Sequence, residues 1–226
     1  MMSSDGRPEV NELRFDGEYP VRRSNLHLLE GFVREPNSLS VRDFKRIACS
    51  LRIRLAVSGE ASAHPALDDI ASDLGISVRT IYNYFPVREA MFAFPPPEMA
   101  VGIVESTEGV TELEKVPDAV LPLLEALQTN TEGRTLMTNL VYQHEAHPEL
   151  RASDAYFATE LRKCLEVRDG MSHPAQVVLV GFFTEALRLG LEQWARHPDS
   201  STLVIHRCLR DLLAPRPPRT VDEGVV

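Results

Sequence analysis

Ser77, Arg79, Thr80, Tyr82 and Asn83 lie close together in the stretch SDLGISVRTIYNYFPVREAMF, which spans residues 72–92. Arginine and asparagine make bidentate hydrogen bonds to guanine and adenine edges. A serine at a helix start, beside the free N–H groups of the first turn, suits a phosphate oxygen. These types at this spacing point to contact with nucleic acid, with Arg79, Thr80, Tyr82 and Asn83 on the outer face of a helix that Ser77 caps.

That helix needs a scaffold, and the preceding residues predict one. The run SVRD reads as a capping box, Ser40 accepting from the third helical N–H and Asp43 standing in for the usual Glu. Phe44, Ile47, Ala48, Leu51 and Leu55 then recur at helical spacing up to Gly59. Pro65 opens a short second helix, ALDDIASDL, which Gly75 ends; Ser77 caps a third, which Pro86 ends. Ala71 permits close helix contact and Gly75 tolerates a left-handed backbone, so the second and third helices read as a helix-turn-helix. Taken singly, a Gly between helices is an ordinary C-cap, and Tyr82, Tyr84 and Phe85 are ordinary core aromatics.

The charge distribution agrees with this placement. The chain of 226 residues carries a net charge of −9. Residues 1–92 hold 12 basic and 13 acidic side chains, whereas residues 93–226 hold 12 and 20, so the acidity belongs to the later part. Residues 14–58 contain nine basic residues against five acids, a locally positive segment suited to a polyanion.

The segment LDDIASDLGISVRTIYNYFPVREAMF resembles the DNA-binding signature of TetR-type transcriptional regulators, strongly over residues 66–92 and fairly over the first helix. The resemblance implies that Ser77, Arg79, Thr80, Tyr82, Asn83 and Tyr84 contact DNA and that Arg88 holds a phosphate from the start of a fourth helix. The chain departs from the family in several places. Ala66 stands where the family usually has a capping Thr, Glu60 replaces a common aromatic, and the loop before Ile70 is about two residues longer. Val87 replaces a small polar cap. Three prolines, Pro95 to Pro97, interrupt the linker helix, so a helix is expected from about Val87 to Phe94, then a break and a restart near Pro97.

The remainder reads as helical, with periodic stretches near 98–106, 117–128, 132–146, 148–168, 174–196 and 200–213, and no strand pattern competes. The fold expected is all-α: an N-terminal extension over 1–39, partly flexible, although SNLHLLEGFVRE suits a short helix; a helix-turn-helix domain over 40–93; a helical regulatory and dimerisation domain over 94–214; and a tail over 215–226. Arg22 and Arg23 suit a basic arm that reaches a minor groove. Residues 174–198 are apolar round much of their circumference, and Leu203, Ile205, Leu209, Leu212 and Leu213 form a stripe on the final helix. By the resemblance, the last two helices form a homodimer that presents two reading helices to a pseudo-palindromic DNA operator. Met137, Val141, Tyr142, Phe157, Leu161, Phe183 and Leu187 are candidates to line a pocket for a small-molecule effector, with core packing the plainer reading of each.

Other chemistries have weaker signals. In YQHEAHPE, His144 and His147 flank Glu145 one helical turn apart, but the spacing is not H-E-x-x-H and no third metal ligand is evident. No phosphate loop or nucleophile signature occurs. The reading is of a non-enzyme without cofactor or metal, a ligand-responsive repressor. The alternatives are a helical small-molecule-binding protein with an inactive DNA-binding head, or a metal enzyme at His144 and His147. Cys49, Cys164 and Cys208 are too few and too scattered for a disulfide framework. With neither an apolar leader nor a membrane-length run, the expected location is cytoplasmic.

Overall fold

The computed structural model describes residues 12–15, 19–22, 26–110, 112–165, 173–197 and 199–213. Apart from one antiparallel hairpin, β1 (Glu12–Phe15) with β2 (Tyr19–Arg22), its regular elements are helices. The hairpin runs in register, Glu12 opposite Arg22 and Phe15 opposite Tyr19, and is absent from the sequence-based expectation. The side chain of Arg22, all of Arg23 and the tail over 215–226 lie outside the described residues.

Three consecutive helices, called the head below, share one continuous core with the helices that follow, called the body. α2 (Val41–Ser58) begins as its capping box predicts: Ser40 Oγ accepts from Asp43 N–H at 3.1 Å and donates to the Asp43 carboxylate at 2.6 Å. Its inner face buries Phe44, Ile47, Leu51 and Val57. α3 (Leu67–Leu74) ends at Gly75, whose φ of 68° is the left-handed conformation that glycine adopts without a Cβ penalty. α4 (Val78–Tyr84) starts at Ser77, whose side chain accepts from Thr80 N–H at 3.1 Å. Where a helix from Val87 to Phe94 was expected, the chain makes a single 3-10 turn, Arg88–Phe92. The prolines do impose the expected break, and α5 (Glu98–Ser106) restarts with Pro97 at its N-cap.

The body comprises α6 (Val116–Thr129), α7 (Thr131–Ala146), a 3-10 turn Pro148–Asp154, α8 (Ala155–Leu165), α9 (His173–Arg196) and α10 (Leu203–Leu213). One side chain knits three of its parts together. Gln128 Oε1 accepts from Trp194 Nε1–H at 3.0 Å and from Thr202 N–H at 2.9 Å, joining α6 to α9 and to the start of α10. His206 and Asp118 add a 2.7 Å pair between α10 and α6.

Part of the expected extension is packed into the core, over residues 28–33, and the short helix read in SNLHLLEGFVRE is present there. Leu28, Leu29, Phe32 and Val33 are buried, and the one-turn helix α1 (Leu26–Leu29) opens this inserted stretch. Gly31, at φ 81°, lies so close to α6 that a Cβ would sit 2.5 Å from Leu127 Cα. Asn130, the N-cap of α7, donates to the Glu30 carbonyl while its Oδ1 accepts from Gly133 N–H at 2.7 Å. Four large apolar side chains drive this docking, each contributing about 1.5–3 kcal/mol by leaving water. Deleting residues 1–35 would therefore remove core, and only a cut before Leu26 probes the arm alone. Among the described residues, no helix is long and apolar enough to cross a membrane.

Candidate nucleic-acid interface

α4 turns two unlike faces. Thr80 and Ile81 are buried, whereas Ser77, Arg79, Tyr82 and Asn83 are exposed, Tyr82 with 42% of its surface accessible. At about 100° per residue, Arg79, Tyr82 and Asn83 share one side and Thr80, Ile81 and Tyr84 the other. The structure thus gathers three of the candidates into one exposed row, with Ser77 at its N-terminal edge.

Thr80, Tyr84 and Arg88 stand elsewhere. Thr80 is 6% exposed and its hydroxyl lies 2.9 Å from Ser77 Oγ, so it completes the cap instead of joining the outer face. Tyr84 is half-buried with its hydroxyl against the Cys49 thiol of α2. Burial pushes that thiol up to about 11, against a smaller opposing pull from Tyr84 and Arg52, so Cys49 stays neutral and unreactive. Arg88 is half-buried, and its Nη1 donates to the Pro65 carbonyl at 3.0 Å. That contact braces the start of α3, where Ala66 supplies no capping side chain.

A residue missed by sequence reasoning holds the head in shape. Arg54 of α2 is 3% exposed; its Nη1 donates to the carbonyls of Ala90 (2.6 Å) and Met91 (2.9 Å), and its guanidinium lies 4.7 Å from the ring centre of Phe85. Its Nε faces Glu98 at the start of α5. Phe85 is the C-cap of α4, so one guanidinium fixes where α4 ends, how the 3-10 turn closes and where α5 begins. An arginine on the buried stripe of an otherwise amphipathic helix is the signal that points to it.

The charges around the row are mixed. Arg42 and Arg46 are exposed on the first half of α2, while Asp68, Asp69 and Asp73 are exposed along α3. Asp68 and Asp69 sit in the first turn of α3, where the helix dipole favours them.

In the body, Met137, Phe157, Leu161, Phe183 and Leu187 are all packed into the core, from 0 to 6% exposed, and Tyr142 is 58% exposed. Val141 borders a cavity among the described residues, together with Phe94, His144, Arg151, Asp154, Arg188, Glu192 and Arg196. The cavity holds about 20 Å³, room for one water. Arg188 pairs with Glu185 and Glu192, and Arg196 with Glu192 and Glu145, which offsets the cost of keeping these charges half out of water.

His144 and His147 do not converge on a common point. His144 Nε2 lies 2.8 Å from the Phe92 carbonyl, so that nitrogen carries the proton, and His147 Nε2 is 3.5 Å from the Ala61 carbonyl. Among the described residues, no group of three His, Cys, Asp or Glu side chains is arranged to hold a metal. Compared with models of protein families, with curated proteins and with solved structures, the chain matches none.

Proposed function

We propose that the head reads duplex DNA through the outer face of α4 and that the protein is a transcriptional regulator of TetR type, acting as a repressor. The observation that carries this reading is the exposed row Arg79, Tyr82 and Asn83 on a helix whose opposite face is buried, delivered by a tight Gly75 turn from α3. Placed in the major groove, that row offers one bidentate partner for guanine and one for adenine, with an aromatic ring between them. Ser77 and the free N–H groups of the first turn of α4 suit an adjacent phosphate.

A single reading helix covers only a half-site, and the body offers a means of pairing two. Val178, Phe182 and Leu189 are exposed along one side of α9, and Val204 and Leu212 on α10. Exposed apolar rows on neighbouring helices are the kind of surface that a twofold dimer buries. An effector lodged among Met137, Phe157, Leu161, Phe183 and Leu187 has to part a closed core. Such opening would favour one conformation over another and so change the population able to engage both half-sites.

One observation favours a second reading, a small-molecule-binding protein whose head does not engage DNA. Asp68, Asp69 and Asp73 face solvent on α3, the helix that crosses the phosphate backbone in a docked helix-turn-helix. Selection of fragments from genomic DNA by the purified full chain separates the two. Recovery of a shared pseudo-palindrome, bound in a gel-shift assay by the wild type, supports the regulator; retention of no fragment, or of all fragments equally, favours the second reading.

A further inference from the structure

Two neighbouring polar residues of α7 hold the chain segments that flank α3 and α4 on either side. Gln143 is 6% exposed, and its Nε2 donates to the carbonyl of Ser58 at 3.3 Å and to that of Glu60, at the start of the loop leading into α3. His144, 7% exposed, donates from Nε2 to the Phe92 carbonyl, beyond the end of α4. The Phe94 ring meets the His144 ring edge-on, with centroids 6.2 Å apart. The two side chains leave α7 about 100° apart, which lets consecutive residues reach separate loops.

These carbonyls need partners. The closing groups of the 3-10 turn Arg88–Phe92 have no helical donors, and buried carbonyls left without one cost about 1–3 kcal/mol each. Arg54 serves Ala90 and Met91, and His144 serves Phe92. Arg54 is part of the head, whereas His144 belongs to the body, so the Phe92 bond crosses between them. The same buried face of α7 is otherwise filled by Leu136, Met137, Leu140 and Val141. Apolar contacts of that kind tolerate sliding; hydrogen bonds specify one alignment.

We propose that Gln143 and His144 are positioning residues for the reading helix: by fixing the segments on either side of α3 and α4 against α7, they set the tilt of α4 and hence the selectivity of a DNA contact that neither touches. The proposal rests on the DNA reading above and adds the site through which the body acts on it. It also accounts for the YQHEAH segment, whose imidazole is spent on a backbone carbonyl.

The test uses the full chain, in wild-type form and as His144→Leu, Gln143→Leu and His144→Gln; the last keeps an Nε2–H donor. Amide exchange is followed by mass spectrometry, and the ratio of affinities for a selected fragment and for random duplex is measured across salt concentrations. Faster exchange at residues 86–94 in His144→Leu and at 59–66 in Gln143→Leu is expected, with α9 unchanged. A roughly tenfold fall in the affinity ratio at an unaltered salt slope should accompany it, the scale of coupling carried by packed networks. His144→Gln should keep most of both. Unchanged exchange in both loops overturns the grip, and faster exchange with an unchanged ratio overturns its effect on selectivity. Should His144→Leu fail to fold, Gln143→Leu and His144→Gln carry the same comparison. If the wild type prefers no fragment, the DNA reading fails and the selectivity role with it, while the two-loop exchange pattern still reports on the grip itself.

Discussion

Arg54 and Glu98 form a buried ion pair: Arg54 Nε lies 3.0 Å from both carboxylate oxygens, and the two side chains are 4% and 10% exposed. The pair joins the first helix of the head to the first residue of α5, across the break imposed by the three prolines. Desolvation takes back much of what such a pair gains, so its value here is geometric. Glu98→Gln should destabilise the protein by about 3 kcal/mol, and Arg54→Met with Glu98→Met should cost more, because the Ala90 and Met91 carbonyls then lose their donor as well. Urea unfolding of the three proteins checks this, and equal losses for the single and double variants would contradict it.

Arg79 is assigned to a base edge. Arg79→Ala should relax sequence preference at one position of each half-site, with a cost of about 1–3 kcal/mol for the preferred base. Competition gel shifts with a fragment library mutated at single positions measure this. A uniform loss over all fragments would instead make Arg79 a phosphate contact.

Arg88 has two duties to separate. Its bond to the Pro65 carbonyl predicts that Arg88→Ala lowers unfolding stability by about 1 kcal/mol. If its remaining N–H groups also hold a phosphate, the variant binds all sequences more weakly and the logarithmic salt slope falls by about one. A stability loss with an unchanged salt slope would leave Arg88 with the bracing role only.

The floor of the small cavity has a pH signature. Burial raises the Asp154 carboxyl to about 6, against smaller opposing pulls from the Phe94 N–H, Arg188 and Arg151. Burial also lowers His144, despite its bond to Phe92, and the two side chains stand 3.5 Å apart at Nδ1 and Oδ1. Because the folded state holds the Asp154 proton more tightly than the unfolded chain, that stabilisation is complete below the ordinary value of 3.8 and is lost as pH rises through about 6. His144 acts oppositely: its contribution is present above 6.5 and declines as pH falls through its lowered value. Asp154→Asn removes the first trend alone. The stability of wild type relative to this variant should therefore decline between about pH 4 and pH 6, as read by denaturant unfolding at several pH values; a flat difference would contradict it.

The proposed dimer face makes a plain demand. Phe182→Glu together with Leu189→Glu places charges on the exposed side of α9 without touching its buried residues. Sedimentation should show a dimeric wild type and a monomeric variant with unchanged helix content. A variant that keeps the wild-type mass would move the interface elsewhere.

Helix positions were readable wherever punctuation is chemical. Ser40 with Asp43, Gly75, Ser77 and Pro97 each mark an end that the structure places at the same residue or the next, because caps and prolines act within one turn. The faces of α4 were equally available: helical periodicity alone puts Thr80 and Tyr84 beside Ile81, and reading Thr80 as outward overlooked it. Arg54, Gln143 and His144 act on carbonyls 36 to 85 residues away, and of the three only Arg54 leaves a local mark, as a charge on a buried stripe. The hairpin did leave one, since Asp16-Gly17 between the strands is a dipeptide that favours tight turns. The short helix in SNLHLLEGFVRE was legible, but its burial was not, since the residues that cover it lie about a hundred positions later.

That stretch has a consequence for the order of assembly. Residues 28–33 precede Leu127, Asn130 and Gly133, which receive them, by about a hundred positions, as the Asn130 bond to Glu30 shows. α3 and α4 find partners nearby in sequence, in each other and in α2, whereas α2 also meets α7 some 85 positions further on. The apolar segment around Phe32 waits for α6 and α7, so its docking closes a loop of about a hundred residues, one of the long-range steps of assembly.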